Sequence, residues 1–126
     1  MKIKNITIGI KSLRQGLREF AQAIKNVQRG EIPKMAKEEV NFVSLEAMRK
    51  VLTPKRLELL HKIREQRPQS VYELAKVSNR DLKNVQQDIA LLSRIGLVSL
   101  SKKKAARERV MPVVDYDNLR LLIPVA

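Results

Sequence analysis

Residues 79–96 constrain the fold more than any other part of this chain, because their apolar side chains recur at helical spacing. The residues that fall on one side of such a helix are Leu82, Val85, Ile89 and Leu92. This repeat predicts an amphipathic helix with one buried side and one side open to solvent or to a partner. Gly96 then ends the helix, since glycine adopts the left-handed conformation of a helix end without strain.

The opposite side of this helix carries amide and cationic side chains and no glutamate in its first two turns. Lysine can donate to the acceptors of guanine, while asparagine and glutamine can form two hydrogen bonds with adenine. These residue types favour contact with the bases of DNA, although a polar side that touches only water fits them equally well. The candidates for base contact are Lys83, Asn84, Gln86 and Gln87.

The charge of the chain indicates a polyanionic partner. Its 126 residues suit one domain, or a small domain with an appendage. Lys and Arg total 26 against 13 Asp and Glu, which gives a formal net charge of +13. Such an excess attracts nucleic acid first, an anionic membrane surface second and an acidic protein third.

Composition also disfavours several classes of protein. Two Phe, two Tyr and no Trp provide few rings for the base stacking that single-strand and sequence-specific RNA binders use. The absence of cysteine excludes disulfides and thiolate ligands and fits a cytoplasmic protein. No apolar run approaches the roughly 20 residues of a membrane span, and the N-terminus does not resemble a secretion signal.

The first 52 residues predict a strand and an amphipathic helix, followed by shorter elements. Alternation at residues 4–10 indicates a half-buried strand. Ser12 caps a helix that extends to Arg29, and its apolar stripe consists of Leu13, Leu17, Phe20, Ile24 and Val27. Residues 31–39 fit a loop, residues 40–43 a short strand, and Ser44 a cap for a brief helix.

The remainder predicts three helices and a hairpin. Thr53 and Pro54 are strong signals for a helix start, and Ser70 with Glu73 forms a capping box for a second, shorter helix. After the third helix, which was described first, residues 97–100 and 109–114 form two apolar stretches typical of a hairpin. The apolar residues 119–125 fit a strand slightly better than a short helix.

The connection between the hairpin strands is strongly basic. Cations on a hairpin beside a base-reading helix are suited to phosphate contact, and a solvated loop that aids solubility is the alternative. The candidates for contact with the DNA backbone, two of them outside the hairpin, are Arg80, Arg94, Ser101, Lys102, Lys103, Lys104, Arg107 and Arg109.

From residue 53 to about residue 116 the sequence resembles the small winged-helix transcription regulators of bacteria and archaea, of the MarR-like and ArsR-like kind. The resemblance is carried by Pro54-Lys55-Arg56-Leu57-Glu58-Leu59-Leu60, Ser70-Val71-Tyr72-Glu73-Leu74-Ala75, Val85, Ile89 and Leu92-Ser93-Arg94-Ile95-Gly96-Leu97-Val98. Asn79 stands where such domains usually have glycine, and Ser78 and Arg80 stand where they usually have apolar residues. The resemblance implies that the third helix docks in the major groove and the hairpin, or wing, lies on the backbone or over the minor groove.

The expected fold class is therefore α+β, with a winged helix-turn-helix domain at residues 53–126 after a strand-helix extension at residues 1–52. The expected function is sequence-specific binding of double-stranded DNA in transcription regulation. The apolar stripe of the first long helix predicts a homodimer, because two reading helices would then face half-sites about 34–36 Å apart. An ordinary core helix within one subunit explains the stripe equally well.

Other functions fit the sequence less well. An enzyme is not expected, because His61 is the only histidine and no nucleophile, phosphate loop or metal-ligand pattern is apparent. No cofactor is expected either. The strongest rival is an antitoxin-like interaction protein whose N-terminal half binds an acidic partner and whose DNA binding serves autoregulation. A duplex RNA-binding protein is a second rival, and a membrane-surface role is the weakest.

Overall fold

The computed structural model describes residues 3–30, 38–104 and 108–125. The chain is α+β and divides into two compact units. The helical unit comprises Met1–Lys4 and Val51–Asp117, and the sheet unit comprises Asn5–Lys50 and Asn118–Ala126. The elements in chain order are β1 (Asn5–Ile10), α1 (Leu13–Gln28), β2 (Glu39–Phe42), α2 (Leu45–Val51), α3 (Pro54–Gln66), α4 (Val71–Ser78), α5 (Leu82–Arg94), β3 (Ser99–Lys104), β4 (Glu108–Val113) and β5 (Asn118–Leu122).

The sheet unit contains a parallel three-stranded sheet in the order β2-β1-β5. Ile8 of β1 lies opposite Val40 of β2 and Leu121 of β5. Since side chains alternate along a strand, one side of this sheet is apolar and includes the buried residues Ile6 and Ile8. The predicted alternation of β1 is confirmed.

The last strand joins the first one across almost the whole length of the chain. The sequence assigned residues 53–126 to one domain, whereas the structure pairs β5 with β1 in the sheet unit. Leu119 and Leu121 in β5 continue the apolar side formed by Ile6 and Ile8. This pairing also decides between the two interpretations of the final segment, which is a strand.

One glycine in this sheet makes room for a side chain of the neighbouring strand. Gly9 of β1 is buried and lies opposite Asn41 of β2. A Cβ atom added to Gly9 would collide with the side-chain oxygen of Asn41. A larger residue at this position would therefore displace the end of the Asn41 side chain, which is flexible, rather than the backbone of β2.

The helical unit has its core between α3, α4, α5 and the segments that flank the hairpin. Its buried apolar residues are Leu59, Leu60, Ile63, Leu74, Ala75, Val85, Ile89, Leu92, Leu97, Val98, Val114 and Tyr116. The Tyr116 hydroxyl donates a hydrogen bond of 2.9 Å to the Leu97 carbonyl, and burial raises the pKa of this phenol. Strands β3 and β4 pair antiparallel, with Leu100 opposite Pro112. The predicted hairpin is confirmed.

The predicted helix starts in this unit are confirmed by their capping bonds. Thr53 accepts a hydrogen bond from the Arg56 backbone N–H at 3.3 Å, and Ser70 accepts one from the Glu73 backbone N–H at 3.0 Å. The Glu73 carboxylate accepts in return from the backbone N–H of Gln69, one residue before the predicted partner. These bonds satisfy donors that a helix leaves free at its first turn, so the starts are fixed locally.

Candidate nucleic-acid interface

Helix α5 is anchored by one side and open on the other, as its sequence pattern predicts. Val85, Ile89 and Leu92 are at most 2% exposed. The side chains predicted for base contact, Lys83, Asn84, Gln86 and Gln87, are all exposed. The helix therefore presents amide and ammonium groups on a support that core packing holds in place.

The turn between α4 and α5 is fixed by a left-handed residue. Asn79 has φ 53° and ψ 47°, a conformation that asparagine tolerates better than most residues with a side chain. The backbone N–H of Arg80 then donates to the Ala75 carbonyl at 3.0 Å, which closes the end of α4. This geometry directs the chain from one helix into the next with only a short turn.

Asp88 joins α5 to its neighbours through two arginines. One carboxylate oxygen accepts from Arg56 Nε at 3.1 Å and the other from Arg80 Nη2 at 2.8 Å. Arg56, at the start of α3, also donates to the carbonyl of Val51, the last residue of α2, at 2.9 Å, so this residue belongs to the same cluster. The Asp88 side chain is 13% exposed and each arginine 22%, which makes these ion pairs partly buried.

Arg80 was expected to contact phosphate, but the structure places its side chain against Asp88. A guanidinium held in a partly buried ion pair would have to break that pair to reach the DNA backbone. Arg80 is therefore better suited to hold the start of α5 in place. Sequence reasoning missed Asp88, although it is an acidic residue within a helix otherwise rich in amides and cations.

A groove of about 820 Å³ lies beside α5, between α4 and the hairpin. Gln86 and Ala90 line it from α5, Tyr72 and Lys76 from α4, and Arg109 from β4. Two of the candidate contact residues, Gln86 and Arg109, therefore meet at one concave surface. The two regions that the sequence treated separately form a continuous surface there.

Tyr72 and Lys76 are potential contact residues that sequence reasoning missed. Tyr72 is 61% exposed, and the Lys76 ammonium lies 5.7 Å from the centroid of its ring. This distance permits a cation–π interaction that holds both side chains at the edge of the groove. The available signal was an aromatic residue on the polar side of the short α4, where Leu74 and Ala75 occupy the buried side.

The hairpin cations divide between its two sides. Lys102 lies opposite Val110, and Arg109 lies opposite Lys103. Alternation therefore places Lys102 and Arg109 on opposite sides of the ribbon, and both are exposed, as is Ser101. Arg107 and the side chains of Lys103 and Lys104 lie outside the described part of the chain. Arg94, at the end of α5, is exposed as well.

The comparison with protein-family models returns one result that bears on this surface. The model of the HVO_A0114 family matches residues 51–121, more than half of the 126 residues. The chain belongs to the HVO_A0114 family. No curated protein and no solved structure matches it.

The HVO_A0114 match covers the candidate interface as a whole. It begins at the first residue of the helical unit's main segment, Val51, and includes α3, α4, α5 and the hairpin. It also extends into β5, whereas α1 lies outside it. The residues that line the groove therefore lie within the segment that the HVO_A0114 family model matches.

Within residues 3–30, 38–104 and 108–125, no group of three or more His, Cys, Asp or Glu residues is arranged to hold a metal ion. None of the helices that the structure describes combines the length and apolar character needed to cross a membrane.

Proposed function

We propose that this protein is a sequence-specific regulator of transcription that binds double-stranded DNA through a winged helix-turn-helix domain. In this proposal α4 and α5 are the helix-turn-helix, α5 is the reading helix, and β3 with β4 is the wing. One observation supports the proposal most strongly. The side of α5 that bears amide and cationic side chains is exposed, and it lies next to a groove bordered by the hairpin.

The dimensions and chemistry of α5 suit the major groove. A helix with its side chains is about 10–12 Å across and the major groove of B-DNA is about 12 Å wide. Gln87 and Asn84 offer the paired donor and acceptor that adenine requires, and Lys83 offers a donor for guanine. Their common helix face lets these side chains approach neighbouring base pairs together.

Backbone contacts in the proposal come from the cations around the reading helix. Arg109 and Lys76 border the groove, while Arg94 at the end of α5 and Lys102 on the other side of the hairpin are exposed. These contacts would position the protein without reading sequence. Arg80 takes a different role, because its ion pair with Asp88 holds α5 to the preceding turn, while Arg56 joins the same carboxylate to α3.

Selection of bound duplexes from a random DNA pool tests the proposal, followed by affinity measurements at fixed salt on the selected sequence. We expect a defined consensus. Gln87→Ala should lower affinity for it about 5- to 150-fold, which corresponds to the loss of one good base contact. The matched control is Gln66→Ala, since Gln66 is an exposed glutamine at the end of α3 and away from α5.

Three outcomes would contradict the proposal in different ways. Tight binding without a consensus would indicate an architectural DNA-binding protein. Displacement of the DNA by duplex RNA at equal salt would indicate an RNA-binding function. An equal loss of affinity in Gln87→Ala and Gln66→Ala would remove α5 from its reading role.

A further inference from the structure

Helix α1 exposes its apolar stripe instead of burying it. Of the five stripe residues, Leu13 is 70% exposed, Phe20 66% and Leu17 59%, with Ile24 at 45% and Val27 at 50%. No residue of α1 is buried. The interpretation of α1 as an ordinary core helix within one chain therefore does not describe this structure.

The polar side of α1 is the side held by the rest of the sheet unit. Lys11 bonds Glu19 of α1 at 2.8 Å and Glu39 of β2 at 3.3 Å, and hydrogen bonding to Glu19 is the main cause of its raised pKa. Asn26, two turns beyond Glu19, is the α1 residue that is not fully exposed. The ion pairs of Lys11 hold this polar side of α1, and the apolar stripe on the opposite side faces outward.

The spacing of the stripe is that of a coiled-coil seam. Its residues follow one another at steps of four, three, four and three, a repeat of 3.5 residues. A repeat of this period forms a narrow seam that packs best against another helix with the same period. A second copy of α1 supplies the same repeat.

The residues beside the seam allow a like-charged copy to approach closely. In a chain with a net charge of +13, the flanking positions hold Arg14, Gly16, Ala21, Ala23 and Gln28, of which one is charged. A Cβ added to Gly16 would meet nothing within 4 Å, so no contact within the chain accounts for this glycine inside a helix. Small side chains at such positions permit short distances between paired helices.

The area of the stripe is enough for a specific contact. An apolar side chain of this size removes on the order of 60–120 Å² from water. Five of them give about 300–600 Å² per chain, or about 600–1,200 Å² for a symmetric pair, a range that includes the lower limit of about 1,000 Å² expected for a biological interface.

We infer that α1 pairs with α1 of a second copy of this chain through the seam Leu13, Leu17, Phe20, Ile24 and Val27. The pair is isologous, since the same surface serves both partners. This interface lies outside the segment that matches the family model and does not depend on DNA binding.

Sedimentation of the full chain tests the inference. We expect a dimer at about 10 µM, and a monomer for Ile24→Glu with an unchanged circular dichroism spectrum, because a buried unpaired charge is unfavourable at a seam. Gln22→Glu is the matched control, since Gln22 is exposed on the side of α1 away from the seam, and it should remain dimeric.

A monomeric wild-type chain overturns the inference and favours a different protein as the occupant of the stripe. A dimer that persists in Ile24→Glu places the interface elsewhere and overturns it too.

Cysteine crosslinking identifies the interface directly, because the chain has no cysteine of its own. In a parallel pair Leu17→Cys should crosslink to itself, and in an antiparallel pair that buries all five seam residues it should crosslink to Ile24→Cys in a mixed sample. Either product supports the seam, and Gln22→Cys should give none. A wild-type dimer without either crosslink contradicts it. Since these readouts measure mass, a failure of DNA binding leaves them unaffected.

Discussion

At the residue scale, the orientation of the candidate interface depends on side chains outside its exposed surface. Asp88 accepts bonds from Arg56 and Arg80 and so connects α5 to the start of α3 and to the preceding turn. Asn79 supplies the left-handed conformation of that turn. Both residues act through the orientation of α5, and neither belongs to its exposed side.

Replacement of Asp88 by Asn should destabilise the helical unit and weaken DNA binding together. Removing one partner of a fully buried ion pair costs about 3–5 kcal/mol, and partial exposure reduces the expected loss here to roughly 1–3 kcal/mol. Denaturant unfolding measures the change. Asp81→Asn is the control, because Asp81 precedes α5 but its side chain makes no capping bond. Equal stability of Asp88→Asn and the wild type would contradict a structural role for the cluster.

At the element scale, the segment after β4 is joined to α3 and to the N-terminal residues of the helical unit. Asp117 accepts hydrogen bonds from the Lys4 backbone N–H at 2.9 Å and from Arg64 Nη2 at 2.8 Å. These two hydrogen bonds lower the pKa of the Asp117 carboxyl below its ordinary value of 3.8, and the bond from Lys4 has the larger effect. Three separate segments therefore meet at one ionised group.

This lowered pKa predicts a loss of stability in acid. The folded state favours ionised Asp117, so the contribution is complete above the ordinary pKa of 3.8 and is lost as the pH falls through the lower folded value. Asp117→Asn should flatten the decline in thermal stability between about pH 5 and pH 2. Asp115→Asn controls for the loss of one negative charge in the same turn. A decline identical to that of the wild type would show that Asp117 does not contribute.

At the scale of the whole molecule, the two units divide the proposed tasks. The helical unit carries the reading helix and the hairpin, and the sheet unit carries the exposed seam of α1. In the proposed function, the net charge of +13 would supply a general attraction to DNA, and base contacts would add selectivity. The proposed DNA binding and the inferred self-association would therefore involve different surfaces, and mutations should separate them.

The charge predicts a strong salt dependence of DNA binding. If about five hairpin cations neutralise phosphates, the logarithm of the affinity should fall against the logarithm of salt concentration with a slope of roughly −4 to −5. Anisotropy titrations of a labelled duplex at several salt concentrations measure this slope. Arg109→Ala should reduce its magnitude by about 1, whereas Lys55→Ala on α3 should leave it unchanged. A slope near zero in the wild type would remove the hairpin from the interface.

The sequence alone determined the elements and their buried sides. Caps at Ser12, Thr53 and Ser70 and the apolar repeat of α5 act over a few residues, so their effect can be predicted without a fold. The same holds for the exposed side of α5, which follows from the repeat that buries the other side. The positive φ of Asn79 was predictable from its residue type and its place in the turn.

Tertiary structure decided which distant residues meet. Strand β5 pairs with β1 although the two lie at opposite ends of the sequence. Arg56 and Arg80 bind Asp88 from outside α5. The α1 stripe faces outward, and the ion pairs on the opposite side of α1 also reach a different element. Periodicity shows which side of an element is apolar, but it carries no information about the element that will cover it. Which residues become partners depends on the three-dimensional path of the chain. For α1, the sequence repeat identifies the apolar stripe, but only the tertiary structure leaves that stripe exposed.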